Sequence, residues 1–395
     1  MTPLERRASL SLASIFALRM LGLFLVLPVF ALEARKYPGG EDPALLGLAM
    51  GIYGLTQGLL QLPFGMASDR FGRKRVIVLG LLVFAAGSFW AAAATDLHGL
   101  LLGRSLQGAG AVSAAVTALL ADLTRDEVRT KAMALVGASI GLMFALSLVL
   151  APVLAAAIGL SGLFALTGVL ALLGIAVVRW GAPPAPARVA GAPRGRLSEV
   201  LRHAGLMRLN LGVFVLHAVQ LAMWVAVPTL LVQAGLAKDR HWQVYLPAVL
   251  GSFVLMGGMF ALERRGRLKQ VFLAAIVLIG LVQLGLLVES AGTPRLGALA
   301  LWLFAFFCGF NILEATQPSL VSRLAPMAVR GSALGVYNTL QSLGFFVGGW
   351  AGGALLKSWG SPVLFLVCGA AMGLWWLVAL PMQAPARGQA ATQAA

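Results

Sequence analysis

Three ionisable side chains, Arg19, Arg104 and Glu314, stand well inside long apolar runs of this 395-residue chain. At a bilayer centre each costs about 2.5 to 3.5 kcal/mol on insertion scales, so such groups face a protein interior, pair, or line a wet cavity. Glu314 is the one acid placed this deep. It can carry a proton or another cation, or form half of a structural pair. Arg104 can modulate protonation or hold substrate, or serve as a hydrogen-bonding strut. Arg19 can do the same or snorkel toward an interface. His217 is the one histidine deep in an apolar run. An imidazole titrates near neutral pH, which makes it a second proton candidate beside its reading as a satisfied core histidine. Around these groups run polar stripes. Tyr53, Gln57 and Gln61 recur at i, i+4 and i+8, Gln220 and Trp224 follow His217 at i+3 and i+7, and Asn338 and Gln341 form a further pair. Of these, Tyr53, Gln57, Gln220, Trp224, Asn338 and Gln341, with Gln107 and Asn311, are the candidates for a substrate cavity; the same stripes could simply glue helices together.

Nothing in the chain has the spacing of covalent catalysis. His98, His203, His217 and His241 are scattered, and neither H-x-x-x-H nor C-x-x-C occurs. Cys308 and Cys368 each lie in an apolar run and read as small core residues. No G-x-x-x-x-G-K-[ST] loop is present for a nucleotide. The expectation is therefore no enzyme, no cofactor and no metal.

The elements that must position these residues follow from the solvent. The chain is 59% hydrophobic and only 11% charged, with a mean hydropathy of +0.89. A soluble domain carries about 25% charge, so lipid is the solvent that fits. Apolar runs broken by charge, Pro and Gly predict twelve transmembrane spans. Six lie near 10–33, 44–66, 76–95, 98–121, 132–158 and 162–179; six more lie near 207–233, 244–262, 270–289, 296–321, 330–356 and 361–381. The first run, after Arg6 and Arg7, is too long for a signal-peptide core and reads as a retained helix. The net charge of +16 lies in short loops and reads as a topology signal, with no nucleic-acid partner expected. With both termini inside, 22 Lys and Arg fall on the cytoplasmic side and 6 outside, which sets the expected orientation.

The halves repeat in the same order. Leu27-Pro28-Val29 answers to Val227-Pro228-Thr229, and Gly137 and Ala151 are spaced like Gly335 and Gly349. Ser68-Asp69-Arg70-Phe71-Gly72-Arg73 answers to Leu262-Glu263-Arg264-Arg265-Gly266-Arg267. The domain reading is a six-helix half at 1–180, a basic cytoplasmic linker at 181–205, a second six-helix half at 206–383 and a short cytoplasmic tail at 384–395. The linker is basic enough to lie near anionic headgroups, and 196–206 could form a short interfacial helix. Two parallel repeats fit a rocker with a central site between them.

In the loop Gly65 to Lys74, Gly65 and Gly72 permit a tight turn, Asp69 can accept from a helix N-terminus, and Arg73 can pair with Asp122. This loop, Gly65-Met66-Ala67-Ser68-Asp69-Arg70-Phe71-Gly72-Arg73-Lys74, resembles the cytoplasmic signature of the major facilitator superfamily, and departs from it at Met66 to Ser68. Leu102 to Gly110, with Arg104, is similar to that superfamily's motif in the fourth span, whose arginine faces the cavity in proton-coupled exporters. Gly137, Gly141 and Pro152 resemble its antiporter motif in the fifth span, although Ala151 replaces the usual glycine. Ala17 to Gly22, Phe310 to Ala315 and Gly335-Val336-Tyr337 resemble the bacterial YajR-like group of drug exporters. The resemblance implies an all-α, twelve-helix fold in the bacterial inner membrane. It implies a secondary transporter, a proton-coupled antiporter exporting small amphipathic compounds as a monomer, with lipid, proton and a small-molecule substrate as partners. Transport of one defined metabolite, a sugar or amino-acid derivative, is the alternative.

Overall fold

The computed structural model describes residues 1–184, 197–264, 266–326 and 329–382. Residues 185–196 of the linker and all of the tail read from the sequence lie outside the described residues. The first helix, α1 (Pro3–Glu33), starts on a reciprocal cap: Thr2 Oγ1 accepts from the Glu5 amide, and Glu5 accepts from the Thr2 amide. Then come α2 (Pro43–Phe71), capped by Asp42, and α3 (Arg73–Ala93). Gly72, with φ +98°, makes the turn between them, a conformation that costs an L side chain strain.

The fourth span, expected as one helix, is two: α4 (Leu97–Ala109) and α5 (Ser113–Asp122), parted at Gly110 to Val112. Gly110 packs so tightly on α3 that a Cβ there would sit 2.9 Å from the Phe84 amide nitrogen.

Two helices are double-length. The helix α6 (Asp126–Ala176) has 51 residues and α12 (Arg330–Ala379) has 50. At 1.5 Å per residue each runs about 75 Å, more than twice the roughly 30 Å hydrocarbon core. Each is sharply broken, at Gly159 (φ +66°) and Gly360 (φ +80°), and so crosses twice. The short α7 (Leu197–Arg202) occupies part of the expected interfacial segment and stops at His203, which caps the next helix through Nδ1. The second half then runs through α8 (Ala204–Gln233), α9 (Trp242–Arg264), α10 (Leu268–Ala291) and α11 (Leu296–Leu324) before α12. Eight helices are long and apolar enough to span. Counting α6 and α12 twice, the α4–α5 pair once and α9 once gives twelve crossings. The repeat survives in the backbone: Pro28 and Pro228 lie inside α1 and α8, and Gly266 turns with φ +79° where Gly72 does.

The halves meet chiefly along α2 and α12. Gly47 and Gly51 of α2 lie against Gly349 and Gly353 of α12, backbone on backbone, with no room for a Cβ. The other face of the same glycine-rich stretch serves its own half: Gly344 and Gly348 pack on Phe214 and Ala218 of α8. At the end of the molecule away from the termini, Lys238 Nζ donates to Glu33 Oε1 at 2.7 Å and Lys357 Nζ to Asp42 Oδ2 at 2.8 Å, both across the halves. At the terminus-bearing end the contacts thin. There α5 packs on α1, α2, α3 and α6 of its own half, and Gly331 and Gly335 of α12 have open space around them.

Candidate functional site

Mid-membrane, the first half presents Arg19. Its side chain is 1% exposed. Nη1 donates to Ser113 Oγ at 3.0 Å, and Nη2 donates to the Tyr53 hydroxyl at 2.7 Å and to Gln57 Oε1 at 2.8 Å. The guanidinium also lies 5.4 Å from the Phe84 ring centre. Tyr53 and Gln57 are one turn apart on α2 and hydrogen-bond to one another, so the stripe read from the sequence forms one polar edge. Gln57 then reaches across: its Nε2 donates to Ser342 Oγ on α12 at 2.9 Å.

The residue before Ser342 is Gln341, and it opens the second cluster. Gln341 Nε2 lies 2.8 Å from His217 Nε2 and 3.4 Å from Glu314 Oε1, and Glu314 Oε2 lies 3.3 Å from His217 Nε2. His217 Nδ1 is 2.9 Å from the Val213 carbonyl oxygen. That oxygen can only accept, so Nδ1 carries a proton and Nε2 is the nitrogen that gains or loses one. Phe310 and Phe345 stand edge-on to the imidazole, at 5.8 and 4.8 Å between ring centres, and wall it from the rest of the bundle. Glu314 keeps 39% of its side chain exposed, while the Oε2 that faces His217 is buried.

The remaining candidates separate from these clusters. Arg104 is buried and donates to the Ala49 and Met50 carbonyls of α2 and to Gln107. Gln107 in turn donates to Ser88 of α3. The Arg104 guanidinium also lies 5.2 Å from the ring centre of Tyr53, the residue that bonds Arg19. Asn311 donates to Ser252 of α9 inside the second half. Gln220 and Trp224 are buried, and Trp224 stacks edge-on with Tyr245. The Asn338 carbonyl accepts from Ser342.

At the terminus-bearing end Arg73 joins Asp69, at 2.5 Å, to Asp122, at 3.0 Å, and donates to Ser68. This ties α2, α3 and α5 together. The side chains of Glu263 and Arg264 lie outside the described residues. Around Gly137 and Gly141 no neighbour comes within 4 Å of a Cβ position, and Pro152 lies inside α6.

A family model described as the Major Facilitator Superfamily matches residues 12–349 and 261–395. The chain belongs to the major facilitator superfamily. It is a multi-pass membrane transporter, not an enzyme. The inner membrane transport protein YajR of Escherichia coli (strain K12) is 42% identical over 390 residues, 98% of this chain and 85% of its own length. The multidrug resistance protein MdtH of Aeromonas hydrophila subsp. hydrophila is 27% identical over 85% of this chain and 84% of its own. The crystal structure of the human organic anion transporter MFSD10 (TETRAN) is 18% identical. It covers 96% of this chain and 100% of its own, with a TM-score of 0.72, and so shares the superfamily fold.

Sequence reasoning missed Ser342 and Ser113, the hydroxyls that join the polar clusters. Single serines in apolar helices carry no periodic signal. It also missed the ties at the far end. There Glu33 takes hydrogen bonds from both Lys36 and Lys238, and the bond to Glu33 holds the Lys238 ammonium above its usual pKa. Beside them burial pushes His241 down to about 4, so it is neutral in ordinary medium.

Proposed function

We propose that the protein is a proton-coupled exporter of small amphipathic compounds that works by alternating access as a single chain, with both termini in the cytoplasm. The observation that carries this reading is the His217–Glu314 pair, an imidazole and a carboxylate 3.3 Å apart, with Gln341 on α12 reaching both. Gln341 is followed directly by Ser342, one of the residues through which α12 touches the first half. Loading or losing the proton changes the charge at the seam where the halves rock, which lets protonation bias one state over the other. The asymmetry of Lys and Arg supports the orientation; the terminus-bearing end is then cytoplasmic, and the far-end ties close the outer side. The name of the relative MdtH supports drug-like cargo. A transporter of one defined metabolite is the second reading, favoured by the density of polar groups around Arg19.

The test is purified protein in liposomes with an internal pH dye and a panel of amphipathic compounds. Compound-dependent proton movement is expected; accumulation without it removes the coupling. A cysteine at Ala237 should be labelled from outside only, and labelling from the cytoplasm reverses the orientation.

A further inference from the structure

The first half buries positive charge that no carboxylate among the described residues neutralises. Among the described residues Arg19 is bonded only to a serine, a tyrosine and a glutamine, and no carboxylate lies within ion-pair distance. Its Nε, fully buried, has no hydrogen-bond partner in the protein. Removing a charged donor from water without a counter-charge is costly. Gln61, one turn beyond Gln57 on the same edge of α2, is 2% exposed, and neither its Nε2 nor its Oε1 is bonded. The break in the fourth span adds a third feature: α5 begins mid-membrane at Ser113, whose hydroxyl receives Arg19. The N-cap Val112 offers no side-chain cap to the first amides of α5. A helix start of this kind, in a discontinuous membrane helix, presents positive dipole and free N–H groups.

We propose that the cargo is an amphipathic organic anion whose oxyanion is taken up by Arg19, the Gln61 amide and the N-terminus of α5. This rests on the transporter reading and names its substrate class. In the conformer described, the Gln57–Ser342 bond covers the site from the second half. Parting the halves uncovers it, and the incoming anion supplies the missing counter-charge. The two binding groups then sit on opposite sides of the seam, the anion on the first half and the proton on the second. Exchange of an outgoing anion for an incoming proton moves both charges with a negative-inside potential.

The experiment is equilibrium binding of radiolabelled salicylate and of its neutral amide, salicylamide, to the full-length protein in phosphatidylcholine nanodiscs. Salicylate is expected to bind at least about tenfold more tightly, since a charged hydrogen-bonding group is held by a matched buried site. Arg19→Gln should bring the ratio to about one. Gln61→Leu should lower it several-fold; because that change removes an unpaired buried amide, it does not put folding at risk. A carboxylate bound no better than its amide, or a ratio unchanged in both variants, overturns the proposal. Repeating the titration with phosphatidylglycerol separates cargo from lipid: unchanged salicylate binding supports a cargo site, and competition by the lipid means a headgroup site and overturns it. Proton movement driven only by neutral or cationic compounds defeats the anion assignment and leaves coupling standing. Salicylate binding without proton movement does the reverse.

Discussion

Arg19 and Arg104 in the first half are buried among hydroxyls, amides and backbone carbonyls, whereas Glu314 and His217 in the second half face each other across 3.3 Å. The first pair stays charged at any pH the cell meets, because a guanidinium does not give up its proton there. The second pair is built from groups that do. Two halves with a common ancestry in their backbone repeat have thus divided the electrostatic work: one holds a fixed charge, the other holds a variable one, and Gln57 to Ser342 is the bond between them.

That division can be broken most severely at Glu314. Glu314→Gln mimics the protonated acid, so proton-driven accumulation in liposomes should fall to that of empty vesicles while substrate binding persists; Glu314→Asp should keep part of the activity. Accumulation by the Gln variant with an unchanged pH profile would make Glu314 structural. His217→Gln removes the second proton position but keeps a polar group beside Gln341. Transport should fall by about tenfold, and its pH dependence should flatten. A profile that keeps its shape returns His217 to the role of a packed core histidine.

The repeated loops offer a sharper contrast. Asp69→Asn cuts one limb of the Arg73 bridge, a charge-assisted bond of about 1.5 to 3 kcal/mol, and should slow transport about tenfold without lowering the amount of inserted protein. Glu263→Gln, at the matching place in the second half, should have a smaller effect; equal losses would show that both loops gate alike. The smallest change is expected outside. The Lys357 hydrogen bond holds the Asp42 carboxyl below its usual range, so the tie contributes stability above about pH 4 that is lost as the pH falls through the lower folded value. Both partners are well exposed, which limits the contribution to under about 0.5 kcal/mol. Lys357→Met should therefore shift thermal unfolding in detergent by less than about one degree at neutral pH and not at all in strong acid.

The chain by itself determined the membrane class, the twelve crossings and the positions of the buried ionisable residues, because apolar length and the cost of charge in lipid are local properties of a sequence. The repeat was legible for the same reason: Gly72 and Gly266, or Pro28 and Pro228, mark backbone needs that only those residues meet. Only the tertiary structure decided which polar groups meet. It put Glu314 against His217, 97 positions away in the chain, joined Gln57 to Ser342, and withdrew Gln107 and Asn311 into contacts within their own halves. It also split the fourth span at Gly110 to Val112. Each of these turns on the rotation of one helix about its axis relative to another, and helices that are apolar on nearly every face carry no moment from which that rotation could be read.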